Sequence, residues 1–166
     1  MEDRPYIGVV GADAGASPAE LDVAQAVGTL LAAAGAVLVC GGLGGVMAAA
    51  SRGASEAGGE TVGLLPGHDR SAANAWVAIA IPTGLGELRN GLVVRAADAL
   101  IAVGGSFGTL SEIALALRTQ VPVVGLGTWD LAGRGGPEQP RVVVAAEAGD
   151  AVAQALGLAR ARRGPA

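Results

Sequence analysis

Two apolar runs in this chain break off in clusters of glycine and pass at once into helix-forming sequence. Ala36 to Cys40 leads into Gly41-Gly42-Leu43-Gly44-Gly45, and Ala99 to Val103 leads into Gly104-Gly105-Ser106-Phe107-Gly108. A short strand that is apolar throughout has to be covered on both faces, which is the situation of a parallel sheet between helices. Glycine at the end of such a strand lets the main chain reverse tightly and brings backbone, without side chains, up to whatever lies beyond the strand.

The rest of the chain repeats the alternation. Tyr6 to Gly11, Thr61 to Leu65, Trp76 to Ile81, Pro122 to Leu126 and Val142 to Ala145 read as further strands. Helices are predicted over Pro18 to Ala34, Val46 to Ala57, Leu85 to Ala97, Leu110 to Thr119 and Ala151 to Arg162. Ser17-Pro18-Ala19-Glu20 carries the first helix's start: a capping Ser, Pro at the first helical position and Glu three residues after the cap. The expectation is one doubly wound α/β domain over residues 1–166, with a mainly parallel sheet of about seven strands and helices on both faces. A flexible C-terminal tail is expected from about residue 161, and a mobile surface loop between Gly127 and Pro140. Ligands of such sheets bind beyond the carboxyl ends of the strands, where both glycine turns lie.

Composition narrows the function. With 28 glycines and only four aromatic residues, the core has to be built from small helices' faces lying close on Val-rich strands. A net charge of −4 argues against a general nucleic-acid or membrane-surface binder. Arg160, Arg162 and Arg163 do not alter this, since cations at the end of a last helix complement its dipole. The lone Cys40 excludes an internal disulfide and reads as a small buried filler rather than a nucleophile. His68 is the sole histidine, and no Cys/His cluster offers a metal site. The start Met1-Glu2-Asp3-Arg4-Pro5 has no signal-peptide character, and five glycines interrupt the apolar stretch from Leu30 to Ala50. A soluble, cytoplasmic protein is expected.

Both glycine turns suit phosphate, because N–H groups opening a helix face an anion there. Close strand–helix packing explains the glycines equally well. Ser106 and Thr109 add hydroxyls to the second turn. Neither turn has the Gly-Lys-Ser/Thr ending of a Walker loop or the dinucleotide spacing after the first strand. Glu112 has two readings. Thr109-Leu110-Ser111-Glu112 is a capping-box pattern in which it serves only the helix start. Alternatively, a carboxylate at a phosphate pocket binds ribose hydroxyls or stabilises positive charge at an anomeric carbon. Arg89 and Asn90 form a polar pair suited to phosphate. Arg95 lies about 120° round the helical wheel from Arg89 and need not share a pocket with it. Asp98 reads as a cap or turn residue, and His68, Asp69 and Arg70 as solvated loop residues.

Taken in order, Gly41-Gly42-x-x-Gly45-Val46-Met47, Gly63-x-x-Pro66, Arg89-Asn90, Asp98 and Gly104-Gly105-x-x-Gly108-Thr109-Leu110-Ser111-Glu112 resemble a known superfamily. It was first described as lysine decarboxylases, and it includes the cytokinin-activating nucleoside 5′-monophosphate phosphoribohydrolases (LOG-like enzymes) and the molybdenum cofactor carrier proteins. The resemblance spans Tyr6 to Leu126. It implies a Rossmann-like sheet, a homodimer or higher oligomer, and a ligand phosphate held at the second glycine turn. The residues it assigns to ligand binding are Gly41, Gly42, Gly45, Met47, Asn90, Gly104, Gly105, Ser106, Phe107, Gly108 and Thr109. In the hydrolase branch, position assigns catalysis to Arg89 and Glu112.

Two departures decide between branches. The hydrolases read Pro-Gly-Gly-x-Gly-Thr-x-x-Glu where this chain opens with Gly104-Gly105-Ser106, and they have Arg-Lys where it has Arg89-Asn90. The Arg-Asn form is closer to the carrier-like branch. Lysine decarboxylation has no support, because the sequence contains no lysine to form a Schiff base. The leading expectation is therefore a carrier of a phosphate-bearing, nucleotide-like molecule such as molybdenum cofactor, with no cofactor required of its own. The alternative is an N-glycosidic hydrolase of nucleoside monophosphates. The partner is a phosphorylated small molecule in either case, with no nucleic acid and no membrane.

Overall fold

The computed structural model describes residues 4–131 and 139–164. Seven strands, β1 (Tyr6–Gly11), β2 (Val37–Cys40), β3 (Glu60–Leu65), β4 (Ile79–Pro82), β5 (Ala99–Val103), β6 (Val123–Leu126) and β7 (Val142–Val144), form one sheet in the order β4-β3-β2-β1-β5-β6-β7. Every neighbouring pair is parallel. The chain first winds outward from β1 to β4, then returns to place β5 on the other side of β1. The carboxyl ends of β1 and β5 thus diverge into connections on opposite faces, the arrangement that opens a crevice in a doubly wound sheet.

Alternation along the central strands sets the two layers. Ile7, Val9, Leu38, Cys40, Ile101 and Val103 face one core with α1 (Pro18–Ala33), α2 (Gly45–Glu56) and α5 (Ala148–Arg163). Val10, Val39, Leu100 and Ala102 face the other, with α3 (Asn90–Ala96) and α4 (Phe107–Arg118). The shortage of aromatic residues is met by close approach. Gly28 of α1 lies so near Ala50 of α2 that a Cβ would run into the Ala50 carbonyl, and Gly53 stands likewise against Gln25. Thr29 Oγ1 donates across the same crossing to Gly53 O at 3.3 Å.

The α1 cap forms as its sequence predicts. Ser17 N donates to Glu20 Oε2 at 2.7 Å, Glu20 N donates to Ser17 Oγ at 3.3 Å, and Pro18 opens the helix. Elsewhere the boundaries move for identifiable reasons. β4 starts at Ile79 rather than Trp76, because the buried Thr61 hydroxyl donates to Trp76 O and accepts from Ala78 N, both at 2.8 Å. A side chain therefore takes the hydrogen bonds that a ladder would use. The helix expected from Leu85 is a 3-10 turn over Gly86–Arg89, with α3 beginning only at Asn90. Gly84 and Gly86 hold φ values of +67° and +56°, which an α-helix does not accommodate. Conversely, α4 begins at Phe107 and not at Leu110, since Gly104 and Gly105 complete the reversal by themselves.

At the C-terminus α5 runs on to Arg163, past the point where a tail was expected. Its arginines do more than complement a dipole. Arg162 Nη1 donates to Ala97 O at 3.2 Å, and Arg163 Nη1 donates to Arg4 O at 3.1 Å and stands 3.7 Å from Asp98 Oδ2. Asp98 also accepts from Tyr6 N at 2.8 Å, so it ties the starts of β1 and β5 to α5. Residues 132–138 of the expected Gly127–Pro140 loop lie outside the described residues. Among those described, no helix is long and apolar enough to cross a membrane.

The glycine crossing makes a paired prediction. Gly28→Leu should destabilise the fold by about 1–3 kcal/mol through overpacking, read as a lower urea midpoint. Gly157→Ala, in α5 with open space around the new methyl, should raise stability by about 0.5–1 kcal/mol.

Candidate functional site

Where β1 and β5 part, the carboxyl edge of the sheet holds a cleft of about 250 Å³. One wall is the end of β1 and the first glycine turn, with Gly11, Asp13, Gly41, Leu43 and Met47. The other is the start of α4, with Ser106, Gly108, Thr109 and Glu112, and Arg89 and Asn90 lie between them.

Among the described residues Arg89 is the one cation lining this cleft, and it is only 7% exposed. The 3-10 turn ends on it and lays its guanidinium across Gly41. A Cβ at position 41 would fall 2.7 Å from both Cζ and Nη1, so only glycine leaves room for the charge. Nη2 donates to Gly41 O at 3.3 Å, and Nη1 donates to Asn90 Oδ1 at 2.6 Å. Asn90 is itself held, its Nδ2 donating to Ser111 Oγ at 3.3 Å while Ser111 Oγ donates to Gly108 O at 2.7 Å. Arg89 Nε is buried with no hydrogen-bond partner. A desolvated N–H of a cation left unmatched is costly unless a ligand supplies the acceptor.

Glu112 faces this guanidinium from α4, Oε1 lying 3.9 Å from Arg89 Nη1, with both side chains nearly enclosed. That distance is too long for a hydrogen bond. Burial therefore outweighs the attraction of Arg89, and the carboxyl is pushed up from 4.5 to about 7. Near neutral pH Glu112 exchanges a proton readily, and in its neutral form it leaves Arg89 uncompensated. The capping reading of Glu112 does not hold. With α4 starting at Phe107, Ser106 is the cap, and Ser106 N donates to Thr109 Oγ1 at 3.2 Å.

The two glycine turns are capped differently. At the first, Gly44 N donates to Asp13 Oδ1 at 2.7 Å and Val46 N to Ala12 O at 3.0 Å, so oxygens of the loop after β1 cap α2. At the second, α4 is capped by its own residues: Ser106 N donates to Thr109 Oγ1 at 3.2 Å, the Thr109 N–H donates to the Ser106 side chain, and Leu110 N donates to Ser106 O at 3.0 Å. Phe107 and Gly108 precede the first intrahelical bond, and a helix start of this kind favours an anion.

A model of the SLOG cluster4 family matches residues 4–155. The chain belongs to the SLOG cluster4 family. A protein of Archaeoglobus fulgidus is 46% identical to this SLOG cluster4 chain over 112 residues, covering 68% of this chain and 73% of the relative. Two solved structures resemble it over almost their whole length. The molybdenum cofactor binding protein of Rippkaea orientalis has a TM-score of 0.88 and 38% identity, covering 96% of this chain and 100% of that one. The molybdenum cofactor carrier protein of Chlamydomonas reinhardtii has a TM-score of 0.82 and 38% identity, covering 93% of this chain and 98% of that one. These neighbours lie in the carrier branch to which the Arg89-Asn90 pair points, and the Rossmann-like α/β sheet is the fold they share.

The cleft brings together Gly41, Met47, Arg89, Asn90, Ser106, Gly108, Thr109 and Glu112 from the residues singled out in the sequence. Others sit apart from the cleft. Gly42 packs against Leu65, and Gly45, at φ +53°, lets α2 approach the Ala12 and Asp13 carbonyls. Gly104 and Gly105 border a neighbouring hollow with Trp129, and Phe107 points into solvent. Arg95 is exposed. Asp69 caps the short 3-10 turn at Arg70–Ala72 and is held below the usual carboxylate range by hydrogen bonds from Ser71. Cys40 is fully buried against Ser51, and burial pushes its thiol up, which suits a filler. Asp13 and Glu87 line the cleft unannounced by any motif. Gly11 does have a signal, a glycine closing an apolar strand, since any side chain there would strike Val46.

The raised Glu112 carboxyl fixes the sign of a pH effect. Well below its unfolded value of 4.5 it is protonated in both states and costs nothing. As pH climbs toward 7 the unfolded chain releases this proton first, so folding stability falls, and above 7 the loss is constant. Relative to Glu112→Gln, the parent should lose on the order of 3 kcal/mol between about pH 5 and about pH 8 in urea titrations. A pH-independent difference would refute the assignment.

Proposed function

We propose that this chain carries a phosphate-bearing pterin, with molybdenum cofactor as the cargo, and anchors its anionic group at Arg89. The observation that carries this reading is the nearly enclosed Arg89 guanidinium lining the cleft beside Ser106, Gly108 and Thr109 at the start of α4. Phosphate or another oxyanion supplies acceptors for that guanidinium and for the start of α4 with its Ser106 and Thr109 hydroxyls. The likeness to cofactor-binding and carrier proteins at 38% identity supports the choice of cargo. Asn90 fits holding rather than catalysis. Both ends of its amide are engaged, so it fixes the angle of Arg89 where a lysine would add a mobile charge. Cys40 does not line the cleft, so the protein grips the organic part of the cargo, not its metal through a thiolate.

A second reading has one observation in its favour. Glu112, with its carboxyl near 7 beside an anion anchor, is placed to stabilise a developing oxocarbenium centre or to position water in nucleoside monophosphate cleavage. The exposed leucines Leu85, Leu88 and Leu92 next to the site support a homodimer or higher oligomer, and a cytoplasmic location belongs to the same proposal.

Purified protein should release a fluorescent pterin on acid oxidation and gain thermal stability with molybdate or tungstate. Arg89→Gln should weaken phosphate-bearing ligands by about 10- to 100-fold, the usual cost of removing one charged hydrogen-bonding partner. If base release from AMP is seen and Glu112→Gln abolishes it, the hydrolase reading replaces the carrier. If neither pterin nor oxyanion binds, the carrier reading fails.

A further inference from the structure

Between Ser106 and Gly108, both of which line the cleft, stands Phe107, 82% exposed at the first position of α4. Its ring stacks on Trp129, centroids 6.0 Å apart and planes inclined by 29°. The tryptophan is fastened to the same turn. Its Nε1 donates to Ser106 O at 3.2 Å, and its indole edge occupies the space where a Cβ on Gly105 would come within 3.0 Å. The chain has only four aromatic residues, and here two are spent on a surface where they add nothing to either core. Beside Trp129 lies a hollow edged by Glu20, Thr128 and Asp130. Thr128 Oγ1 is buried there without a hydrogen-bond partner. An aromatic shelf fixed to an anion-binding turn, with carboxylates at its margin, is complementary to a flat ring whose edge bears N–H donors.

We propose that Phe107 and Trp129 form the stacking platform for the amino-bearing, fused nitrogen heterocycle of the ligand whose anionic group occupies the cleft. This rests on the anion-binding reading above and deepens it: Arg89 holds the charge, and the aromatic pair selects for a ring. Selectivity of this kind tolerates different rings of one class, because every such base presents a π-face. The carboxylates at the hollow's edge then favour rings carrying an exocyclic amino group.

Calorimetric titration with AMP, neopterin monophosphate and ribose 5-phosphate separates the two parts. The ring-bearing probes should bind the parent about tenfold or more tighter than ribose 5-phosphate. Phe107→Ala should erase that margin while leaving ribose 5-phosphate affinity unchanged, Trp129→Ala should erase it as well, and Phe107→Tyr should keep it. In a Trp76→Phe background, AMP should quench the remaining tryptophan and ribose 5-phosphate should not. Equal affinity of all three probes for the parent overturns the platform and leaves the anion site standing. A margin that survives Phe107→Ala, with a change in oligomer mass instead, identifies a self-association contact and also overturns it. Failure of every probe to bind overturns the anion site and the platform together.

Discussion

A guanidinium kept out of water at the carboxyl edge of a parallel sheet dictates most of what surrounds it. Arg89 fits because Gly41 has no side chain, stays in place because Asn90 and the Gly41 carbonyl accept from it, and keeps one buried N–H, at Nε, without a partner. Glu112 stands 3.9 Å away without closing on it. A tighter ion pair would satisfy Arg89 and remove any reason for an anion to enter. In the proposed carrier reading, the looseness of this pair leaves the guanidinium open to an external acceptor.

The acidity of the cleft sharpens the point. Asp13, Glu87 and Glu112 stand against a single cation, which on charge count alone would repel phosphate. Asp13 is occupied in holding Gly44, and Glu112 sheds its charge near neutrality. In the proposed reading, the backbone dipole at the start of α4 adds to the attraction for phosphate. The two turns that look alike as glycine clusters differ in their caps: α4 is closed by Ser106 and Thr109, α2 by oxygens of the loop after β1.

Much of this was legible in the sequence, and the failures have causes. Alternating apolar runs gave the sheet and its helices, and Ser17-Pro18-Ala19-Glu20 gave the start of α1. Long-range contacts could not be read. That Thr61 would cut β4 short, or that two positive-φ glycines would delay α3, depends on partners or backbone angles no local pattern displays. Glu112 illustrates the same limit at the site. Its capping pattern was genuine as a pattern, but Gly104 and Gly105 finish the turn early and carry the carboxylate inside. The pairing of Phe107 with Trp129 joins residues from different connections and had no signal at all.

The cap of α1 also touches the second glycine turn. Glu20 uses one carboxylate oxygen to hold Ser17, and its other oxygen fills the space where a side chain at Gly104 would go. A residue other than glycine at 104 would push that carboxylate aside and draw it off the Ser17 amide, so a change in the turn after β5 reaches the start of the first helix, on an element far from it in sequence.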